Sequence, residues 1–140
     1  MALTRAQMDA KLDEHFRFEA TDNVAGVLST LADDVEHDIV GWPTGPVRGH
    51  DAVRPFYETL FGDLADGRVS SRRRLYGANF MVDDSVWTGT ATGRPFGLEG
   101  RGRRLEFRLL HVLEFTESGD IARENVWLDL AAIQQQLPQD

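Results

Sequence analysis

The run Arg103-Arg104-Leu105-Glu106-Phe107-Arg108-Leu109-Leu110-His111-Val112-Leu113-Glu114-Phe115 decides the fold class. Leu105, Phe107, Leu109, His111, Leu113 and Phe115 share one parity, while Arg104, Glu106, Arg108 and Glu114 share the other. That period of two is the signature of a strand with one buried face. The apolar row contains a single histidine, His111, the one side chain there whose ordinary pKa lies near neutrality.

Working outward, a period of two extends over residues 69–130. Turn signals fall at Asp83-Asp84, across the glycine-rich stretch 93–102, and at Glu117-Ser118-Gly119. Four long antiparallel strands in a meander are expected. On the last of them Ile121, Arg123, Asn125, Trp127 and Asp129 share one parity, and Ala122, Glu124, Val126 and Leu128 share the other. Either face can point inward. The first offers an amide, an indole and a carboxylate to a pocket, and the second offers an apolar row with one glutamate.

Upstream the period lengthens. Thr4 with Gln7 forms a capping-box pattern, and Met8, Leu12 and Phe16 follow at helical spacing, predicting a helix over 5–19. Asp22 is placed to cap a second helix whose stripe is Val24, Val27, Leu28 and Leu31. Residues 35–41 alternate, with Val35, His37 and Ile39 on one face. Val53, Phe56, Tyr57 and Leu60 then mark a third helix that ends at Gly62 and tolerates Pro55 only near its first turn. A short tail helix is expected over 131–137.

The fold class is therefore α+β, with N-terminal helices packed on a curved antiparallel sheet and a short C-terminal helix, all in one domain over 1–140. Long strands wrapped around a few helices commonly leave a conical cavity, lined by whatever polar side chains the apolar rows carry. His37 and His111 are the two such histidines here. His15 and His50 read as solvent-facing or cap positions and receive no role.

Composition narrows the chemistry. The 140 residues include no cysteine, which excludes thiol nucleophiles, disulfides, zinc-thiolate centres and iron–sulfur clusters. Lys11 is the only lysine, so imine chemistry has one candidate amine, in a polar stretch. A net charge of -8 works against binding the phosphates of nucleic acid. No apolar run reaches the roughly 20 residues of a membrane span, and the first residues lack the apolar segment of a secretory signal. A cytoplasmic location is the resulting expectation. No HxH, HExxH, GxSxG or GK[ST] spacing is present, so no metal site, serine-hydrolase elbow or phosphate cradle is expected. The basic clusters Arg72-Arg73-Arg74 and Arg101, Arg103 and Arg104 are expected to pair with the chain's acids.

The order of elements, together with Asp33-Asp34-Val35-Glu36-His37-Asp38, Gly89-Thr90-Ala91-Thr92-Gly93, Gly102-Arg103-Arg104-Leu105-Glu106-Phe107-Arg108, Gly119-Asp120-Ile121 and the stretch from Asp129 to Leu137, resembles the SnoaL-like polyketide cyclases. These belong to the NTF2-like, ketosteroid-isomerase-like superfamily. The resemblance covers nearly the whole chain. It implies an α+β cone, a homodimer formed through the outer sheet face, and a pocket without a cofactor. It further implies intramolecular aldol closure by an acid/base Asp on the last strand and a His on the strand before it. His111 matches the histidine by position. The Asp position falls near Asn125, and the nearest carboxylate of that parity is Asp129.

The leading reading is thus a cofactor-independent isomerase, lyase or cyclase acting on a hydrophobic carbonyl compound. Its catalytic candidates are His111 with Asp129 or Asn125, assisted by His37. Proton abstraction beside a carbonyl needs a base poised near neutrality and a donor for the oxygen that becomes negative. Trp42, Phe56, Trp87, Phe107 and Trp127 are the candidate apolar wall, and Tyr57 and Tyr76 the candidate phenol donors. Set against these readings, His111 can be a satisfied core histidine, the aromatics ordinary core, and Asp129 the cap of the tail helix. Two rivals stand beside the leading reading: epoxide opening, with Arg123 and Asp129 in the cavity, and a non-catalytic dimeric binding module. Leu110 and Val112, on the otherwise polar sheet face, are the local support for a dimer.

Overall fold

In the computed structural model, which describes residues 2–139, the first helix α1 (Arg5–Ala20) carries the expected capping box. Thr4 Oγ1 accepts from the Gln7 backbone N–H at 3.1 Å, and Gln7 Oε1 accepts from the Thr4 N–H at 2.8 Å. Its buried stripe is Met8, Leu12, His15 and Phe16. Asn23, rather than Asp22, caps α2 (Val24–Ser29), because Asn23 Oδ1 accepts the Gly26 N–H at 2.9 Å while Asp22 turns to a positive φ of 54°. Leu31, expected on that helix, instead opens β1 (Leu31–Ile39). After the short β2 (Val47–Arg48), α3 (His50–Asp63) carries Pro55 in its second turn, one turn later than expected. The carbonyl that Pro55 leaves without a partner belongs to Asp51, an exposed residue that water can satisfy.

The meander follows as β3 (Leu64–Gly77), β4 (Phe80–Ala91), β5 (Arg103–Phe115) and β6 (Ile121–Leu128), closed by α4 (Leu130–Gln136). The sheet order is β2-β1-β6-β5-β4-β3. The sheet is mixed rather than wholly antiparallel, because β1 runs parallel to β6. The first turn of the meander lies at Ala78-Asn79, where Asn79 takes a φ of 56°, and not at Asp83-Asp84. Asp83 and Asp84 sit inside β4, paired with His111 and Leu110 of β5. Two acidic residues read as a turn are tolerated there because Asp83 is buried against Arg74 and Asp84 meets Arg108 at 2.8 Å. Register irregularities in β3, between Ala65 and Arg68 and between Ser71 and Arg73, are bulges of the kind that bend a long strand.

Two apolar clusters fill the space between helices and sheet. One gathers Met8, Leu12, Val27, Leu28, Met81 and Leu113 beneath α1 and α2. The other gathers Trp87, Leu105, Phe107, Ile133 and Leu137 toward α4. Phe56, Leu60 and Val69 pack against both, and the gap that the two clusters leave between them positions the site. Among the described residues no helix is long and apolar enough to cross a membrane.

Candidate active site

The gap is a cavity with about 740 Å³ of unfilled space, its open end included, between α1, α3 and the inner faces of β3 to β6. Its walls include Phe16, Phe56, Trp87, Phe107 and Leu109, with Trp87 stacked on Phe107 at a centroid separation of 5.2 Å. Among the described residues, the ionisable side chains that line it are Glu19, Tyr57, His111, Glu124 and, at the exposed rim, Asp22. An apolar enclosure with a few convergent polar groups is the usual form of a small-molecule site.

Glu124 is the centre of one polar group. Its side chain is buried, and three donors surround its two oxygens: His15 Nε2 at 3.0 Å from Oε2, and the Tyr57 hydroxyl at 3.0 Å and His37 Nε2 at 3.3 Å from Oε1. On the far side of the His15 ring, Nδ1 lies 2.8 Å from Thr30 Oγ1, whose own proton goes to the Val27 carbonyl at 2.6 Å. Thr30 must therefore accept from Nδ1, which leaves Nε2 and its proton to Glu124. Burial alone would depress the His15 pKa, but the Glu124 and Glu19 carboxylates and the bond to Glu124 outweigh it and raise it to about 9. For Glu124 burial acts upward, and the charges and hydrogen bonds of His15 and His37 hold it well below the ordinary glutamate value. The Tyr57 phenol is pushed well above its ordinary value by burial and by the two glutamates, so it stays a neutral donor.

A second polar group stands on the neighbouring strands. Asp83 is paired directly opposite His111, with Oδ1 3.5 Å from His111 Nδ1. Its other oxygen accepts from Ser71 Oγ at 2.5 Å and from Arg74 Nε at 2.9 Å. Arg74 extends the group to α1 through Asp9 and Asp13. Burial alone would raise the Asp83 pKa; the neighbouring His111 and the bonds to Ser71 and Arg74 bring it down to about 2.

Glu19 ends the set. It lies one helical turn beyond His15, with Oε1 3.8 Å from His15 Nε2 and without a hydrogen-bond partner. Burial, reinforced by the Glu124 charge and only partly offset by the histidines, raises its pKa above the ordinary value. The two cavity glutamates are thus driven apart, one held ionised and the other drawn toward its neutral acid, which is how a pair of carboxyls divides acid and base work.

The inward parity of β6 is the one carrying Glu124, Val126 and Leu128. Asn125 is turned to the outer face, where its amide donates to Asp38 Oδ2 at 3.1 Å. Trp127 is 44% exposed on that face, and Asp129 caps α4 by accepting the Ala132 N–H at 3.2 Å. These three are corrected as cavity groups: the pairing of β6 with β5 and β1 leaves them outside. Arg123 is 48% exposed and bound to Glu36 and Glu114, which removes the arginine–aspartate pair considered for epoxide opening. Tyr76 donates to Asp9 at 2.7 Å beneath Arg5 and does not line the cavity. Trp42 stands in adjoining grooves that share Phe56 and Phe96 with the cavity wall. His111, Tyr57, Phe56, Trp87 and Phe107 do line the cavity, while His37 sits behind it against Glu124 and Tyr57.

Three residues escaped the sequence reading. His15 is fully buried rather than solvent-facing, and its signal was the spacing Leu12, His15, Phe16 on the buried stripe. Glu19 continues that stripe by four residues. Glu124 was the one carboxylate in an otherwise apolar row. His50 is half-buried in the first turn of α3, its ring bonded to the Leu31 carbonyl at 2.9 Å.

A cone of helices on a curled sheet, with His111 and Glu124 of the last two strands in an apolar hollow, is a ketosteroid-isomerase-like fold. The model of the SnoaL-like polyketide cyclases matches residues 10–137, and the chain belongs to that family. Among solved structures it is similar to TsrD from Streptomyces laurentii, with 18% identity, a TM-score of 0.84, and coverage of 97% of this chain and 98% of that one. It is also similar to a protein of ketosteroid-isomerase-like fold from Catenulispora acidiphila DSM 44928, solved with trimethylamine, at 11% identity, TM-score 0.76 and 93% of each chain. TerC, co-crystallised with polyporic acid, aligns at 16% identity and TM-score 0.78 over 95% of this chain and 99% of its own. At these identities the likeness is one of fold. No curated protein matches the sequence.

Proposed function

We propose that this protein is a cofactor-independent acid/base enzyme that enolises an apolar carbonyl compound, as the first step of an aldol ring closure or an isomerisation. The observation that carries the reading is the meeting of His111, Glu19 and Glu124 in one otherwise apolar cavity. His111 is the base that takes the proton from the carbon beside the carbonyl. Glu19, drawn toward its neutral form, donates to the carbonyl oxygen as negative charge develops there. Glu124 is too strongly hydrogen-bonded to be an effective base at neutral pH; it keeps His15 positive and orients Tyr57 and His37 around the site. The proton on His111 then returns to a different carbon in an isomerisation, or the enolate carbon bonds to a second carbonyl whose oxygen takes the proton in an aldol closure. The aromatic walls fit a planar, largely apolar substrate, in keeping with the co-crystallisation of TerC with polyporic acid.

The test is hydrogen–deuterium exchange at the α-carbon of β-tetralone in D₂O, which reads enolisation without requiring the natural product. The wild type is expected to exceed buffer exchange, with His111→Ala lowering the rate by about a hundredfold or more. Binding of the ketone with no exchange above buffer would instead make the protein a binding module.

Assembly as a homodimer is part of the same proposal. Leu110 and Trp127 are neighbours across β5 and β6, 37% and 44% exposed on the outer sheet face, and a second copy of that face would cover them. Sedimentation at low concentration is expected to give twice the chain mass, and Trp127→Glu to give the monomer.

A further inference from the structure

Outside the Glu124 group, the described residues contain one other buried acid with an unsatisfied oxygen, and it stands beside the histidine to which the reaction has just been assigned. We propose that Asp83 is the positioning residue of His111, holding the neutral ring as its Nδ1–H tautomer so that Nε2 is the basic nitrogen offered to the cavity. The catalytic consequence rests on the reading of His111 as the base; the tautomer does not.

The groups around Asp83 constrain where the proton of the ring can sit. Arg74 Nε can only donate, and it occupies Asp83 Oδ2 together with the Ser71 hydroxyl. Oδ1 is left with no hydrogen-bond partner and lies 3.5 Å from His111 Nδ1. The other neighbour of Nδ1 is Ser85 Oγ, also at 3.5 Å, a hydroxyl that can accept from Nδ1 while donating to the Leu109 carbonyl at the same distance. The ionised Asp83 oxygen presents only lone pairs to Nδ1, and a proton there is the arrangement that satisfies it. Nε2 has no hydrogen-bond partner among the described residues, while the residue lines the cavity. Phe16 from α1 packs against the ring at a centroid distance of 5.2 Å, and Val126 of β6 is paired opposite His111. An imidazole whose Nδ1–H is held by a buried carboxylate is fixed in tautomer and orientation, by the logic of a catalytic triad.

Asp83→Asn separates this role from a merely structural one. Because Arg74 can only donate, the amide oxygen must take the place of Oδ2, which turns the NH₂ group toward Nδ1. A donor facing Nδ1 forces the neutral ring into the opposite tautomer while the link to Arg74 survives. The measurement is the ¹⁵N spectrum of ring-labelled protein, with the His111 signals identified by their loss in His111→Ala. Nδ1–H is expected in the wild type, and Nε2–H in Asp83→Asn. Asp83→Asn is also expected to slow exchange of β-tetralone at saturating ketone by about a hundredfold, with little change in the concentration for half-saturation. A wild-type ring found as Nε2–H overturns the proposal even if the variant does not fold. So does an Asp83→Asn protein that loses stability with the tautomer unchanged. If the wild type exchanges no ketone, the reading of the function fails, and the spectrum still decides what Asp83 does.

Discussion

Glu124 Oε2 lies 3.0 Å from His15 Nε2, and this contact ties the last strand to the first helix inside the protein. Both side chains are buried, so each is the other's main compensation for lost water. Folding and protonation are consequently linked at this pair.

The linkage has a defined sign. His15 rises from 6.5 to about 9 on folding, so its contribution is fully present below pH 6.5 and is lost as pH climbs through 9. Glu124, held below its unfolded value of 4.5, contributes above that pH and loses its contribution as pH falls further; Glu19, raised, partly offsets that acid loss. Urea unfolding is expected to show stability declining between pH 6.5 and 9. In His15→Gln the decline should vanish, and a variant retaining the full alkaline slope would refute the assignment.

Removing only one partner strands the other. Glu124→Gln is expected to cost about 3–5 kcal/mol at pH 7, the range for breaking a buried pair. In a double-mutant cycle with His15→Gln, the double variant should be less unstable than the sum of the singles. Simple additivity, measured by denaturant midpoints, would show that the two do not interact.

Asp129 acts at the end of α4. Asp129→Ala is expected to cost about 1 kcal/mol, as lost N-caps do, and to leave ketone exchange unchanged. A large fall in exchange at unchanged stability would return Asp129 to the reaction.

Val126 faces the cavity beside His111. Val126→Phe places its added volume in empty space, so the stability change should stay below about 1.5 kcal/mol, less than overpacking a filled core typically costs. Binding and exchange of β-tetralone should be abolished. Titration of the tryptophan fluorescence with the ketone, with Trp87→Phe as the control that removes the cavity contribution, reads the binding, since Trp87 lines the same wall.

How much of this was legible depended on whether a signal was local. The capping box at Thr4 and Gln7 and the alternation from Leu105 to Phe115 are both present as expected, because each is a short-range pattern with one physical cause. Asp83-Asp84 misled for the opposite reason. Two adjacent acids belong in a turn unless distant residues neutralise them, and Arg74 and Arg108 do so only once the strands have paired. On β6 two parities were open, since both mixed apolar and polar residues, and no feature within the strand chose between them.

The sequence by itself determined the helices, the long strands, the cone they make and the inward aim of His111, because hydrophobic periodicity is set by which side chains must leave water. Only the tertiary structure decided which carboxylates share the hollow with it. Glu124 enters, and Asn125 and Asp129 stay out, because β6 is fixed between antiparallel β5 and parallel β1, and a shift of one residue in that register would exchange its faces. The charge state of the site was likewise beyond the sequence, since it arises from the meeting of Glu19, His15 and Glu124, drawn from two distant segments into one place without water.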